Sequence, residues 1–437
     1  MKKYLIYSFI TIALFASCKK GVDPAAGERP EERTATALKT YDDALTGAPN
    51  GWKAFLYPSG GSGFSFYMTF NTSNRVSMYA DINSTSTQTS SESSYRLKAV
   101  LAPSLLFDTY NYLHILADPA PEVNGGTAGW GLYSDFEFTF DRIAGDSIIL
   151  HGNMLKSQLI LIKATADEAA AYKAKQLNTL VNSIVDYTAA NKNLYLQLGD
   201  DTKIQTTLNI TSKVFSLNWV KDNMVSQSTS AFAFTLTGVV LKQPVVYGGK
   251  KFSELTWDAA AKNLYATVGG EKVVVQASPT PILPLHLLIG VSYNNIIVPN
   301  AANFAGWAPD FVARRAAAAQ ATQNSPYGLR LDRMQFLFNV LENSLTITVD
   351  IYQGNNKFLA DFPYTYTKTG DGVYKFNAHQ PTGNAGLIVN EMAPLTSQRI
   401  GADHFTLDYF FDAGTGQTLG QFKSVEHPDF AFTGTLN

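Results

Sequence analysis

The chain reads as mainly β, built from antiparallel β-barrel-like or sandwich-like units with a few intervening α-helices. Three observations predict this class. Apolar and polar residues alternate at period two over long stretches, as in Phe64, Phe66 and Met68 against Ser65, Tyr67 and Thr69. The aromatics are mainly Tyr (22) and Phe (27), which fit a pleated, half-buried surface. Clusters such as Gly60-Gly61-Ser62-Gly63 and Gly125-Gly126 punctuate the alternating runs, as turns do between antiparallel strands.

The N-terminus has its own logic. Lys2 and Lys3 precede an apolar stretch from Tyr4 to Phe15, and the small residues Ala16 and Ser17 follow. That is the layout of a secretory signal, predicted over residues 1–17. Cys18, the only cysteine, comes next, so the run resembles the lipobox of bacterial lipoproteins. Leu usually stands three places before that cysteine; here Phe15 holds the place and Leu14 sits one earlier. The expectation is lipidation of Cys18, the alternative being a secreted protein with an unpaired thiol. Residues 18–30 show no apolar period and read as a lipidated, flexible tether.

Length then suggests about three domains at ~150 residues each. The first, 31–165, opens with a helix over about 31–46, with Pro30 at its start, Ala37, Leu38, Tyr41 and Leu45 on one stripe and Gly47 at its end. Strands follow around Val76, Met78 and Ala80, around Phe136, Phe138 and Phe140, and at 147–150 and 158–163. The second, 166–300, begins with a helix to about 190: Thr165 and Glu168 make a capping box, and Leu177, Leu180, Val181 and Ile184 a stripe. Strands are expected at 194–198, 205–210, 214–219, 231–241, 245–247 and 264–268. The third, 301–437, opens on a helix over 308–321 and returns to period two at Leu345, Ile347 and Val349 and at Phe405, Leu407 and Tyr409. Phe138-Thr-Phe before Ile149–Gly152, Phe232-Ala-Phe before Gly238–Leu241, and the closing Phe430-Ala-Phe echo one another. The echo marks either a repeated β-unit or the common likeness of hydrophobic strands.

Charge narrows the function classes. Loss of residues 1–17 removes two lysines and no acid, leaving 32 basic against 36 acidic residues, a net charge of −4. Without a basic excess or cluster, nucleic acid is excluded as an expected partner. No other apolar run reaches the ~18 residues of a spanning helix, so membrane attachment rests on the lipid. The six histidines, 114, 151, 286, 379, 404 and 427, show no metal-ligand spacing. Neither a nucleophile elbow, a Walker loop nor a dinucleotide fingerprint is present, so no cofactor is expected. Asp412-Ala-Gly-Thr-Gly lacks the later Glu of an EF-hand and reads as a hairpin.

Ala48-Pro-Asn-Gly-Trp52, Ser94-Tyr95, Phe107-Asp-Thr-Tyr-Asn-Tyr-Leu-His114 and Ser134-Asp-Phe-Glu-Phe138 resemble an uncharacterised family of Bacteroidota lipoproteins, a domain of unknown function. The resemblance includes the signal and is strongest between about 30 and 190. Members are encoded near outer-membrane uptake systems resembling the starch-utilisation system. The resemblance therefore implies a lipid-anchored accessory protein of nutrient capture at the cell outer membrane, a transporter complex as partner, and a glycan or peptide as ligand. The family has no established catalytic residues to carry over. Acidic residues often follow the cysteine in surface-exported members, whereas Lys19-Lys20 stand here. The surface and periplasmic faces both stay open.

The segment 107–114 is the leading candidate site. Read as a strand, it sets Asp108, Tyr110, Tyr112 and His114 on one face, a mixture that could hydrogen-bond sugar hydroxyls and stack on C–H faces. The alternative makes the tyrosines half-buried cross-strand partners. Trp130, between Gly129 and Gly131, is the tryptophan expected to be exposed on a loop, as a binding platform or a barrel cap. Asp135, Glu137 and Asp141 form an acidic strand face. Asp135 and Glu137 would stand about 7 Å apart, inside the glycosidase range of about 5–9.5 Å, but a solvated face gives the same spacing. A non-catalytic binding or accessory protein is thus the leading reading. The alternatives are a carboxylate-dependent hydrolase using Asp108 or Asp135, and a scaffold for a transporter subunit.

Overall fold

A computed structural model describes residues 29–99, 101–199 and 202–437. Cys18 and the signal and tether expectations lie outside the described residues. Three closed antiparallel barrels of eight strands each follow one another along the chain. Closure removes the sheet edges that would otherwise invite pairing with another chain, and eight strands leave an interior that side chains can fill. Closure of the first barrel pairs Trp52–Tyr57 with Gln158–Lys163. In the second, Asn193–Gln197 pairs with both Lys203–Asn209 and Glu271–Ser278. The third closes through Ile296 opposite Leu436.

The chain divides into two compact units. The first comprises residues up to Ser59 with Phe66–Tyr79 and Thr89–Ala169; the second comprises Gly60–Ser65, Ala80–Gln88 and Ala170–Asn437.

In the first unit the helix Pro30–Thr46 runs as expected, with Glu31 and Glu32 in its first turn against the helix dipole. Gly47 ends it in an ordinary conformation, φ −78°, its N–H donating to the Asp43 carbonyl. Tyr41 stacks on Phe140 with ring centres 3.9 Å apart. The Trp52 indole donates to the Leu45 carbonyl at 2.9 Å. Phe66, Met68, Val76, Met78 and Phe138 are fully buried, as the alternation predicts. Tyr67, expected on the outer face, is buried as well, so burial does not alternate along Phe64–Asn71. The capping box is present: Thr165 N donates to Glu168 Oε2 (2.9 Å) and Glu168 N to Thr165 Oγ1 (3.2 Å).

The helix expected over 166–190 is two helices, Ala166–Lys173 and Gln176–Ala190. Lys175 adopts a left-handed φ of 63° and breaks the ladder between them. In the second unit, Leu177, Leu180 and Ile184 form the buried stripe of the second helix. The run 231–241 likewise resolves into two strands, Met224–Phe234 and Gly238–Tyr247, which pair with each other. The third barrel is filled by aromatics. Phe336, Phe422 and Phe432 form a triangle of rings, with Phe422 4.9 Å from each of the others and those two 5.1 Å apart. The helix Pro309–Asn324 seals it with Phe311, whose ring stacks on Phe432 at 4.5 Å. Asp412–Gly416 is the hairpin expected, with Asp412 Oδ1 accepting from Gly414 N.

Candidate functional site

Between the strands Pro103–Phe107 and Glu137–Ala144 the first barrel carries an insertion, residues 108–136. It holds the helices Tyr112–Ala117 and Pro121–Asn124. The expected strand over 107–114 is therefore corrected: the strand ends at Phe107 and a helix begins at Tyr112. The cause is local. Asn111 is an N-cap in extended conformation whose Oδ1 accepts from Leu113 N at 2.8 Å, and Leu113 and Leu116, three apart, are both fully buried. A strand would have pointed them to opposite faces.

The helix redistributes the candidate residues. Tyr110 and His114 come together, rings stacked with centres 5.7 Å apart, and Phe136 closes the far side of the imidazole at 4.5 Å. Tyr110 is 60% exposed and Phe136 37%, so the two outer rings of the stack are open while the half-buried His114 ring lies between them. The Tyr110 hydroxyl donates to Asp118 Oδ2 at 2.6 Å. Burial and that hydrogen bond push its pKa up to about 12, while the same bond and the Ala120 N–H hold the Asp118 carboxyl below the usual range. Tyr112 leaves the group: it is half-buried and its hydroxyl donates to the Thr89 carbonyl at 2.8 Å. Asp108 also leaves, gripped by the Arg96 guanidinium through contacts of 2.6–2.9 Å. Trp130 is 52% exposed at a tight turn closed by paired Thr127 and Gly131 hydrogen bonds, and it stacks on Tyr133 at 5.9 Å.

His114 is half-buried, its Nδ1 3.1 Å from Asn111 Oδ1. Burial lowers its pKa more than the backbone bond to Phe107 and nearby Asp108 raise it. A depressed value means that the unfolded chain binds protons first, so stability falls as pH drops below the ordinary histidine value of about 6.5. The melting temperature of the first unit is expected to decline between pH 7 and pH 5, and His114→Gln should flatten that decline. An identical pH profile in the variant would refute the role of His114.

Phe136 is the ring that the sequence pattern misplaces. It alternates with Phe138 and Phe140 and reads as core, yet it precedes the strand and faces out. The reason lies in Asp135, which turns inward and is 5% exposed. Its Oδ1 accepts from Met154 N (2.8 Å) and Leu155 N (2.9 Å), and Oδ2 from Ser157 N (3.0 Å). The solvated acidic face is corrected at Asp135, while Asp141 is exposed as expected. Glu137 is half-buried, and Asp141 pairs with Arg142 beside a bulge in the strand. Among the described residues no group of three His, Cys, Asp or Glu side chains could hold a metal ion. No helix there is long and apolar enough to cross a membrane.

The model of a family described as Domain of unknown function (DUF4302) matches residues 25–259, more than half of the chain. No curated protein matches. Among solved structures, the isotype 1 transferrin binding protein B from serogroup B Neisseria meningitidis is similar at 11% identity, covering 88% of this chain and 73% of that one, with a TM-score of 0.13. A TM-score at that level carries no inference about function.

Proposed function

We propose, on the premise that the chain belongs to the DUF4302 family of unknown function, that it is a lipid-anchored, non-catalytic glycan-binding protein of the outer membrane. It would serve a nutrient-uptake transporter as an accessory component. The observation that carries the reading is the Tyr110–His114–Phe136 stack with its two outer rings open. Exposed aromatic faces gain free energy when an apolar surface covers them, and the C–H face of a sugar ring does so while its hydroxyls reach polar groups at the rim. Asp118 and the Tyr110 hydroxyl stand at that rim. The Trp130–Tyr133 pair offers a second stacking surface on the same insertion. The Leu14–Cys18 run supports the lipid anchor, and the resemblance to lipoproteins encoded beside uptake systems supports the setting.

The test is a glycan panel titrated onto the purified protein. Tyr110→Ala is expected to remove a stacking contact of about 1–3 kcal/mol, a 5- to 150-fold loss of affinity, with little change in melting temperature. Tyr112→Ala should do the reverse, because its ring is half-buried and its hydroxyl holds the Thr89 carbonyl. Equal glycan affinity in wild type and Tyr110→Ala, or no glycan bound at all, would defeat the reading.

A further inference from the structure

The second unit contains an open cleft of about 650 Å³, within the range of about 300–1,000 Å³ typical of ligand pockets. One wall is the outer face of the second barrel. In the strand Lys203–Asn209, Ile204, Thr206 and Leu208 are buried, so Gln205 points outward. Register places Gln205 opposite Asn218, and Asn218 opposite Gln227. Three adjacent strands thus present a row of side-chain amides at one level. Gln205 anchors the row, its Oε1 accepting from Ile282 N (3.1 Å) and Leu283 N (3.3 Å).

The facing wall comes from the third barrel, with Asn343, Tyr366 and Lys368, and from the segment before it, with His286 and Val291. Lys368 Nζ donates to the His286 carbonyl at 3.2 Å and lies 5.9 Å from the Tyr374 ring centre. No carboxylate belongs to the lining, and Lys368 is its one lysine or arginine. Burial and the adjacent Lys368 lower the His286 pKa more than Asp408 and Asp371, which are not part of the lining, raise it. Val291 on this wall is 73% exposed and Met224 on the barrel wall 66%, so each wall leaves one apolar side chain uncovered. The phenol rings tell against a sugar here: Tyr366 is 7% exposed and Tyr374 1%, so neither offers a face.

We propose that this cleft binds a short, extended acidic peptide. Both barrels are closed, so a peptide cannot add to a sheet edge and must be read by side chains. Side-chain amides carry donors and an acceptor, as backbone peptide groups do. Asn218 and Gln227 can pair with such groups through both, while Gln205, whose Oε1 is taken by Ile282 N and Leu283 N, offers its N–H₂. Aliphatic side chains of the peptide cover Val291 on one wall and Met224 on the other. A carboxylate meets the Lys368 ammonium, which has donors left after its single bond to the His286 carbonyl. The site lies in the other unit from the aromatic surface and takes a different class of ligand.

Saturation-transfer NMR on the full purified chain tests this. The probe is a mixture of amidated tetrapeptides with one glutamate among leucine, valine and alanine, beside the same mixture with glutamine. Transfer is expected to the glutamate mixture, with apparent affinity about tenfold weaker in Lys368→Gln, which retains a donor for the His286 carbonyl. Asn218→Ala, on the opposite wall, should also weaken it, and it serves as the decisive variant should Lys368→Gln lower the melting temperature. Equal transfer to both mixtures, unaltered affinity in both variants, or transfer to oligogalacturonate but to no peptide would each overturn the proposal. Peptide transfer is scored on Lys368 and Asn218 and glycan affinity on Tyr110, so the two readings fail separately.

Discussion

Asp81→Ala is expected to lower the stability of the second unit by about 3–5 kcal/mol, the cost of leaving a buried charge without its partner. Lys213 and Asp81 have side chains only 7% and 0% exposed, and Lys213 Nζ lies 2.8 Å from Asp81 Oδ1. The same ammonium donates to the Asp81 carbonyl (2.8 Å) and sits over the Phe64 ring at 4.3 Å. Asp81 in turn accepts from Ser65 N and Phe234 N, each at 2.9 Å. One carboxylate therefore joins three segments that are far apart in sequence, and its removal strands an ammonium and two N–H groups together. Lys213→Met leaves the carboxylate its two backbone donors and should cost less. The double variant should recover part of the loss, since an apolar pair replaces an ionic one. A double-mutant cycle in denaturant measures the coupling, and a value under about 0.5 kcal/mol would show that the pair is independent.

Much of this architecture was legible because closed antiparallel barrels write themselves as period-two alternation. Val76–Ala80 and Leu345–Ile347 read correctly, since each inward residue meets a filled interior. In Phe64–Met68 the inward residues read correctly, but Ser65 and Tyr67, expected outside, are buried too. The helix at 30–46 was legible from Pro30 at its start and an apolar stripe behind it, and the helix at 309–324 from Phe311, Val312 and the alanine run that follows. Less was legible where a side chain overrides the period. Asn111 caps a helix inside an alternating run, and Lys175 breaks a helix whose stripe continues past it. The internal echo is not the structural repeat. Phe138 lies on the sixth strand of its barrel, Phe232 on the fourth of the next and Phe432 on the eighth of the last. The three barrels thus share a strand count while their similar sequences fall at non-equivalent strands.

The candidate site was legible as a composition and not as a geometry. Tyr110, His114 and Trp130 emerge as exposed or stacked rings, but only helix formation could show that Tyr110 and His114 meet while Asp108 and Tyr112 turn elsewhere. Phe136 was hidden because its exposure depends on a buried neighbour. The amide row Gln205–Asn218–Gln227 was out of reach altogether, because it exists only through the pairing register of three strands.

That buried neighbour supplies the second large effect. Asp135→Ala is expected to cost about 3–5 kcal/mol in the first unit, because three backbone N–H groups lose their acceptor at once. The segment from Gly152 to Ser157 wraps the carboxylate closely enough that a Cβ on Gly152 would stand 1.9 Å from Asp135 Oδ2. Asp135→Asn, keeping one oxygen acceptor and putting an N–H₂ donor where another was, should fall between wild type and Ala. The loss should also release Phe136 from its outward position, since Asp135 sets the backbone direction there. Melting temperature and hydrogen exchange at Met154, Leu155 and Ser157 measure the effect. Wild-type protection of those three amides in Asp135→Ala would mean that the carboxylate does not hold the loop. Lost protection together with weakened glycan binding would tie the aromatic surface to this anchor, which is the expected outcome.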